Sequence, residues 1–538
     1  LVYFPTVRTL NMFNSHLRQN YASVAEKTAL YYGSLDKHEK KESLKEFKDG
    51  DAKVMLATKA FGMGIDIPDI HNVYHYAPTG NVIDYIQEIG RAARSLPEGY
   101  AWFDFLPQDF TEVKRLHGMS TIKKQQLIEV MRKIVSLYEQ KKNRNIVVSA
   151  DDFKYIFNQN ELEDSDIDNK LKITLLMIEK DFESTKKLSY SPFVARPRAM
   201  YGNELVFLSK KGKKLLESSK LKKYFTEEKQ LDTDYYDSIC QMNFKQLWED
   251  RYPSMSFPQF KYKMYTEVDE LKDQKILKEI SPAMGVEISY LKNDVQTVIA
   301  SINLVLAALE EFLRGKVYSK TYFNEKMISE FLQTKLGIQN RFEALGLSSV
   351  LLNSLIQVSK IKNAGYIKAR DERGDLYNVT THYMTYFDQM KRTINGLFYG
   401  EKFADKYDDK FVFYAQRSSK NEQLELEQVL LGVAEAAGAL SYEIISGNSP
   451  QIYIRINSIY QLEKVIKAPQ KYNNLILKSV HERHNISVEL LTYLFKMEKE
   501  GATKDEKLLN YTEKFWDVIE DYFLGKLPDS VQAKLYRN

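Results

Sequence analysis

The sequence predicts an α/β domain built on a parallel sheet, followed by mostly α accessory domains and a small C-terminal α+β region. Over residues 1–106, short apolar runs alternate with segments of helical spacing, the pattern of parallel strands joined by crossover helices. From residue 107 onward the spacing is mainly helical, with extended pieces only at intervals. At 538 residues the chain also exceeds what one hydrophobic core supports, so several domains are expected.

Leu1–Phe4 reads as a core strand, and the next segment, Thr9–Arg18, carries Leu10, Phe13 and Leu17 at helical spacing. Thr28–Tyr31 is the second strand and the charged stretch Lys37–Lys48 the second helix. Lys53–Ala57, His71–Tyr76 and Ala101–Phe105 complete the strands, with a helix over Val82–Ile89 between the last two. In such a sheet, function gathers in the loops at the carboxyl ends of the strands. A chain that opens inside a core strand is expected to be numbered from within a longer protein.

Five domains are expected. After the sheet domain (1–106) comes a helical connector (107–147), with Leu116, Ile122, Leu127, Val130, Ile134 and Leu137 on its apolar side. Residues 148–249 read as a winged-helix-like basic domain, its helices followed by a ribbon from Tyr190 to Phe207. A helical accessory domain (250–400) begins with a helix over Phe257–Leu277 and an extended piece near Val286–Leu291. The last domain (401–538) combines a helix over Glu422–Leu440 with a strand pair, Tyr442–Ile445 and Gln451–Ile456, joined by the turn Gly447-Asn-Ser-Pro450.

Composition sets further bounds. Hydrophobic residues at 43% and charged residues at 28% exclude wholesale disorder. The greasiest run, Val298–Leu309, is broken by Ser301 and Asn303 and reads as a buried helix, so no membrane partner is expected. Cys240 is the sole cysteine, which excludes a disulfide framework and a thiolate-rich zinc site and fits a cytoplasmic setting. His481 and His484 lie three apart without a third ligand, so no metal site is predicted; His71 and His75 flank a strand and read as packing residues.

Two segments carry chemistry. The first, ATKAFGMGID at 57–66, follows a strand directly. Its Gly62 and Gly64 permit a tight loop where backbone can approach a phosphate, Asp66 adds a carboxylate for a nucleotide hydroxyl or water, and Thr58 offers a small polar contact to a nucleic-acid phosphate. The second, QEIGRAAR at 87–94, closes the helix that begins at Val82, and the spacing of Arg91 and Arg94 puts them on one helix face. Guanidinium groups bind phosphate bidentately and stabilise charge developing on a transferring phosphoryl group.

With the intervening IPDIHNVYHY, these segments resemble the second RecA-like motor domain of superfamily 2 helicases, and within it the RecQ branch, over about residues 1–106. The resemblance implies an ATP-dependent DNA helicase or translocase. It puts Gln87, Arg91 and Arg94 against ATP, with Arg94 as the finger, and lets Gly64 and Asp66 couple the nucleotide to the strand. It puts Thr6, Arg8 and Thr58 on the DNA backbone. Ala93 stands where that branch has glycine, Ser95-Leu96 where it has Asp-Gly, and its four-cysteine zinc subdomain has no counterpart. The chain also contains no Gly-x-x-x-x-Gly-Lys-Ser/Thr loop and no acidic Mg²⁺ motif after a strand. ATP and Mg²⁺ are therefore expected to be held mainly by a first motor domain, the N-terminal half of the same protein, upstream of Leu1.

Between Lys186 and Lys223, eleven Lys or Arg face two acids, Glu204 and Glu217, a local balance of +9 on a chain of net +4. Tyr190, Phe193 and Tyr201 interleave with Arg196 and Arg198, and Lys210 and Lys211 follow. Rings that stack on bases beside cations that neutralise phosphates predict DNA contact, single-stranded or forked; the competing reading is a solvated lysine-rich surface. The tail, SYEIISGNSPQIYIRIN at 441–457 and KFWDVIEDYFLG at 514–525, resembles the helicase subunit of Hachiman-type anti-phage systems. That resemblance implies antiviral defence and a nuclease effector subunit as partner. Two alternatives stay open: a scaffold that binds and restrains an effector, and a translocase that moves on duplex without unwinding it.

Overall fold

The structure is a computed structural model that describes all residues except 34, 36, 63–64, 66, 68, 107–108, 111–121, 158–163, 186–190, 198–201, 292–293, 370–375, 401–402, 408–409, 418–420, 447–450 and 536–538. It divides into two compact units, Leu1–Thr121 with Lys478–Asn538, and Ile122–Leu477.

The first unit contains the expected parallel sheet. Its strands are β1 (Val2–Tyr3), β2 (Thr28–Tyr31), β3 (Val54–Ala57), β4 (Asn72–His75) and β5 (Tyr100–Trp102), in the order β2-β3-β1-β4-β5. Tyr3 lies between Ala57 and His75, so the chain leaves β1, β3 and β4 side by side at one edge. The helices are α1 (Val7–Asn20), the short α2 (Ala22–Ala25), α3 (Lys37–Asp49) and α4 (Val82–Ile89). Strand alternation divides the core: Tyr3, Met55 and Ala57 face one side, where Leu44 and Phe47 of α3 pack, while Phe4 and Leu56 face Leu10, Phe13 and Leu17 of α1. The last strand ends three residues earlier than the apolar run Ala101–Phe105 suggests. Phe103 and Phe105 leave the sheet to pack against Phe495, at ring-centroid distances of 4.3 and 4.9 Å.

Phe495 belongs to the C-terminal tail, which forms part of this unit rather than of a domain spanning 401–538. Leu490, Leu491 and Leu494 of the helix Leu475–Lys496 share a core with Tyr511, Phe515 and Ile519 of the helix Lys504–Phe523, with Val531, and with Val82 and Tyr85 of α4. The Ser487 hydroxyl accepts the Val82 amide hydrogen at 2.9 Å, satisfying one of the free donors at the start of α4.

The second unit is organised by two larger antiparallel sheets, a two-stranded ribbon (Ile367–Ala369 with Tyr377–Val379) and a helical layer. Ile280–Tyr290, longer than expected, runs through the larger, seven-stranded sheet: its first residues pair with Glu204–Ser209 and the rest with Lys410–Gln416 and Leu440–Ile445. In the smaller sheet Gln451–Ile456 lies between Asn145–Ser149 and Phe193–Pro197. Both expected hairpins are therefore corrected. Phe193–Pro197 and Glu204–Ser209, the two arms of the predicted wing, lie in different sheets, and so do Leu440–Ile445 and Gln451–Ile456. Each strand buries its apolar residues against a segment remote in sequence, as when Ile454 lies opposite Ile146 and Ala195. The turn at 447–450 lies outside the described residues. Strands from all three expected domains between 148 and 538 share the larger sheet, so the boundaries at 249/250 and 400/401 do not separate layers. The expected helix Phe257–Leu277 is broken into Phe257–Thr266, a 3₁₀ turn at Val268–Glu270 and Gln274–Leu277.

The helices Val295–Ser319 and Arg341–Ile361 are long and apolar enough, by composition, to cross a membrane. In this unit Ile302, Leu309 and Leu313 of the first and Leu351, Leu355 and Val358 of the second are fully buried in the protein core.

Candidate functional site

The sheet edge where β1, β3 and β4 end gathers the motor-domain candidates. Thr6, after β1, is the N-cap of α1, its Oγ1 accepting the Thr9 amide at 3.1 Å, and Arg8 is exposed on the first turn. Thr58, after β3, is buried and held by its backbone: its N–H donates to the Tyr31 carbonyl at 3.1 Å, and its carbonyl accepts from Phe61 at 2.9 Å. Gly64 and Asp66 lie outside the described residues. Gly62 is required locally, because a Cβ there would come within 2.8 Å of the Lys59 carbonyl.

The glycine loop is held from two sides. The Tyr3 hydroxyl donates to the Phe61 carbonyl at 2.7 Å, and Arg91 Nη1 donates to the Ile65 carbonyl at 2.8 Å. Arg91 is 8% exposed, its guanidinium carbon 6.0 Å from the centre of the fully buried Phe61 ring. Its Nε is buried without an acceptor among the described residues.

The expectation that Arg91 and Arg94 share a helix face is corrected by the end of α4. The helix stops at Ile89 and Gly90 caps it, so both arginines fall in the turn that follows. Ala93 there adopts φ +57°, a left-handed conformation that glycine adopts without strain, and its N–H donates to the Ile70 carbonyl at 2.9 Å. Gly99 backs the turn, where a Cβ would lie 2.7 Å from that of Ala93. Arg91 consequently turns inward to the glycine loop, while Gln87 and Arg94 are exposed.

A buried pair between these elements carried no signal in the sequence. His75 Nε2 of β4 lies 2.9 Å from Glu88 Oε2 of α4, with side-chain exposures of 1% and 11%. The His75 ring stacks on Tyr3 at 5.6 Å and meets Tyr85 at 4.9 Å. Burial, followed by the Glu88 carboxylate, holds the Tyr3 hydroxyl well above its usual range, and Arg91 and Arg94 act in the opposite direction. Glu88 is hidden between the more conspicuous Gln87 and Arg91, and His75 reads only as packing.

The second unit does not assemble the basic block into one ribbon. Tyr190 and Arg198 lie outside the described residues, as do Lys186, Lys187 and Tyr201. Phe193 is fully buried, so its ring is not offered to a base. Arg196 pairs with Glu179 at 3.1 Å in the smaller sheet, and Lys210 is exposed at the start of a helix beside the larger one. Lys211 pairs with Glu279 at 2.5 Å, Lys223 with Asp250 at 2.8 Å, and Lys213 with Glu227 and Asp237. Acids distant in sequence thus neutralise much of the local excess.

Exposed Gln87 and Arg94 are groups suited to a nucleotide phosphate chain. Among the described residues no cluster of three His, Cys, Asp or Glu occurs that could hold a metal ion by itself.

Residues 1–95 match the family model of the helicase conserved C-terminal domain. Three curated relatives are each similar to a part of the chain. The ATP-dependent helicase wrn-1 of Caenorhabditis elegans is 32% identical over 114 residues, 21% of this chain and 10% of that protein. The DEAD-box ATP-dependent RNA helicase RhpA of Helicobacter pylori is 31% identical over 140 residues, 23% of this chain and 28% of that protein. The ATP-dependent DNA helicase RecQ of Synechocystis is 39% identical over 66 residues, 12% of this chain and 14% of that protein. The chain thus spans less than a third of the length of each of these relatives. Residues 1–95 are a superfamily 2 helicase C-terminal domain.

Proposed function

We propose that this chain is part of an ATP-dependent DNA helicase or translocase of the RecQ branch, and that ATP is hydrolysed between its first unit and a first motor domain of the same protein. The observation that carries the reading is the divergence of the two arginines: buried Arg91 holds the loop after β3, whereas Arg94, in the turn after α4, and Gln87, on α4, are solvent-exposed. Arg94 is the finger that meets the γ-phosphate, Gln87 orients the same group, and Arg91 positions the loop that links nucleotide to strand. ATP, when bound, supplies the phosphoryl group whose transfer to water drives the cycle. Thr6, Arg8 and the backbone around Thr58 lie at the sheet edge where a nucleic-acid backbone would pass. The identity to the ATP-dependent DNA helicase RecQ of Synechocystis supports the DNA branch. The tail resemblance supports a role in anti-phage defence with a nuclease effector.

In the full-length protein, Arg94→Ala abolishes nucleic-acid-stimulated ATP turnover and leaves ATP binding near wild type. Unchanged turnover removes the assignment. For residues 122–477, the pairing of Lys211, Lys213 and Lys223 with acids favours a second reading, a scaffold that docks an effector, over a strand-separating wedge.

A further inference from the structure

The helix Lys504–Phe523 has two apolar faces, and only one is used. Tyr511, Phe515 and Ile519 are buried against the helix Leu475–Lys496 and α4. Roughly a third of a turn around the helix, Leu509, Trp516 and Phe523 follow one another at seven-residue intervals with exposures of 59, 43 and 61%. A seven-residue repeat keeps side chains in nearly one line along a helix, so these three lie on one stripe as apolar anchors about 10 Å apart. Glu513 and Glu520 stand three residues before and four after Trp516, which puts both beside it on the helix surface. Glu513, Asp517 and Glu520 are all exposed and make no ion pair among the described residues, whereas Lys514 is directed to Glu500.

We propose that this stripe is a docking site for an amphipathic helix of a partner protein, one with an apolar ridge flanked by Lys or Arg. An exposed indole between two apolar neighbours is the composition of an interface anchor, and the uncompensated carboxylates along one side select a cationic border. A second copy of this chain is disfavoured, because like pairing would bring the same glutamates together. The buried face of this helix packs on Tyr85 and Val82 of α4, so the partner binds a helix that rests directly on the element carrying Gln87. The site is independent of ATP hydrolysis, so its test stands apart from that of the finger.

The probes are two synthetic helical peptides of about three heptads, with leucine at the inward positions. One is flanked by lysines and the other by glutamates, and each is titrated into the full chain by fluorescence anisotropy. The lysine peptide is expected to bind and the glutamate peptide to bind about tenfold or more weaker. Trp516→Glu is expected to weaken the lysine peptide at least tenfold even though it adds a negative charge, which separates apolar docking from general attraction. The double variant Glu513→Lys, Glu520→Lys alters only exposed positions and is expected to reverse the preference. Equal binding of the two peptides, or insensitivity to Trp516→Glu, overturns the proposal. So does concentration-dependent self-association in sedimentation velocity that Trp516→Glu abolishes, which would make a second copy the occupant.

Discussion

Arg91 and Ile65 are joined across 26 positions of chain by one hydrogen bond, Nη1 to carbonyl oxygen at 2.8 Å. The bond ties the turn after α4 to the loop after β3, and the buried Phe61 ring lies beneath the guanidinium. Such a charge-assisted bond to a buried carbonyl differs in consequence from an exposed arginine three residues away.

Arg91→Ala is therefore expected to lower the stability of the first unit by about 1–3 kcal/mol, because it leaves a buried carbonyl unpaired. Arg91→Lys should fall between this and wild type, since an ammonium lacks the fork that reaches the carbonyl while packing on Phe61. Arg94→Ala, at an exposed position, should stay within about 0.5 kcal/mol. Urea unfolding followed by circular dichroism checks all three, and equal losses for Arg91→Ala and Arg94→Ala would remove the distinction.

The tail is expected to be an integral part of the motor-domain fold. Phe515→Ala should cost about 3–5 kcal/mol through the cavity it opens beside Tyr85. Ser487→Ala removes only an acceptor for the Val82 amide and should cost about 1 kcal/mol. The same unfolding experiment reads both. A chain ending before Lys478 that melts like the full protein would contradict the arrangement.

Lysines already paired with carboxylates contribute little to counterion release. Lys211→Ala and Lys223→Ala should change DNA affinity less than about twofold, whereas Arg8→Ala should reduce the slope of log affinity against log salt by about one. Filter binding at several salt concentrations distinguishes the two sets. A matching loss of slope for Lys211→Ala would restore the basic block as a DNA surface.

How much of the fold is legible in the sequence depends on how local each cause is. The strands of the first sheet follow from short apolar runs whose partners are fixed by the parallel pattern, and four of the five lie inside the stretches read from sequence. Gly90 is a helix stop visible in the sequence, and taken as one it already puts both Arg91 and Arg94 beyond the helix, so that neither is bound to a shared helix face. The strands Tyr442–Ile445 and Gln451–Ile456 do not pair with each other, because an apolar strand announces that it pairs, not with what, and both have partners more than 100 residues away. The same holds for Tyr511, Phe515 and Ile519, whose spacing declares a buried face without naming α4 as its cover. Charge runs mislead for a related reason: Glu279 and Asp250 lie outside the window that contains the lysines they neutralise.

The second unit is expected to lose stability as pH rises through neutrality. The Asp152 carboxylate is buried, and burial pushes its pKa up to about 7 although Lys133 and the amides of Ser149 and Ile444 favour the charged form. A folded pKa above the unfolded value means that the native state binds the proton more tightly. The contribution is therefore full below about pH 4 and is lost as pH climbs through 7. A shift of this size corresponds to an upper bound of roughly 4 kcal/mol. Asp152→Asn keeps a neutral side chain of the same shape but cannot accept from both amides. It should be about 1–3 kcal/mol less stable than wild type at pH 5 and nearer to it at pH 8. Urea midpoints of the two proteins across pH 5–8 test this: the gap between them should narrow with rising pH, and a gap that widens would mean that Asp152 stays ionised in the folded protein.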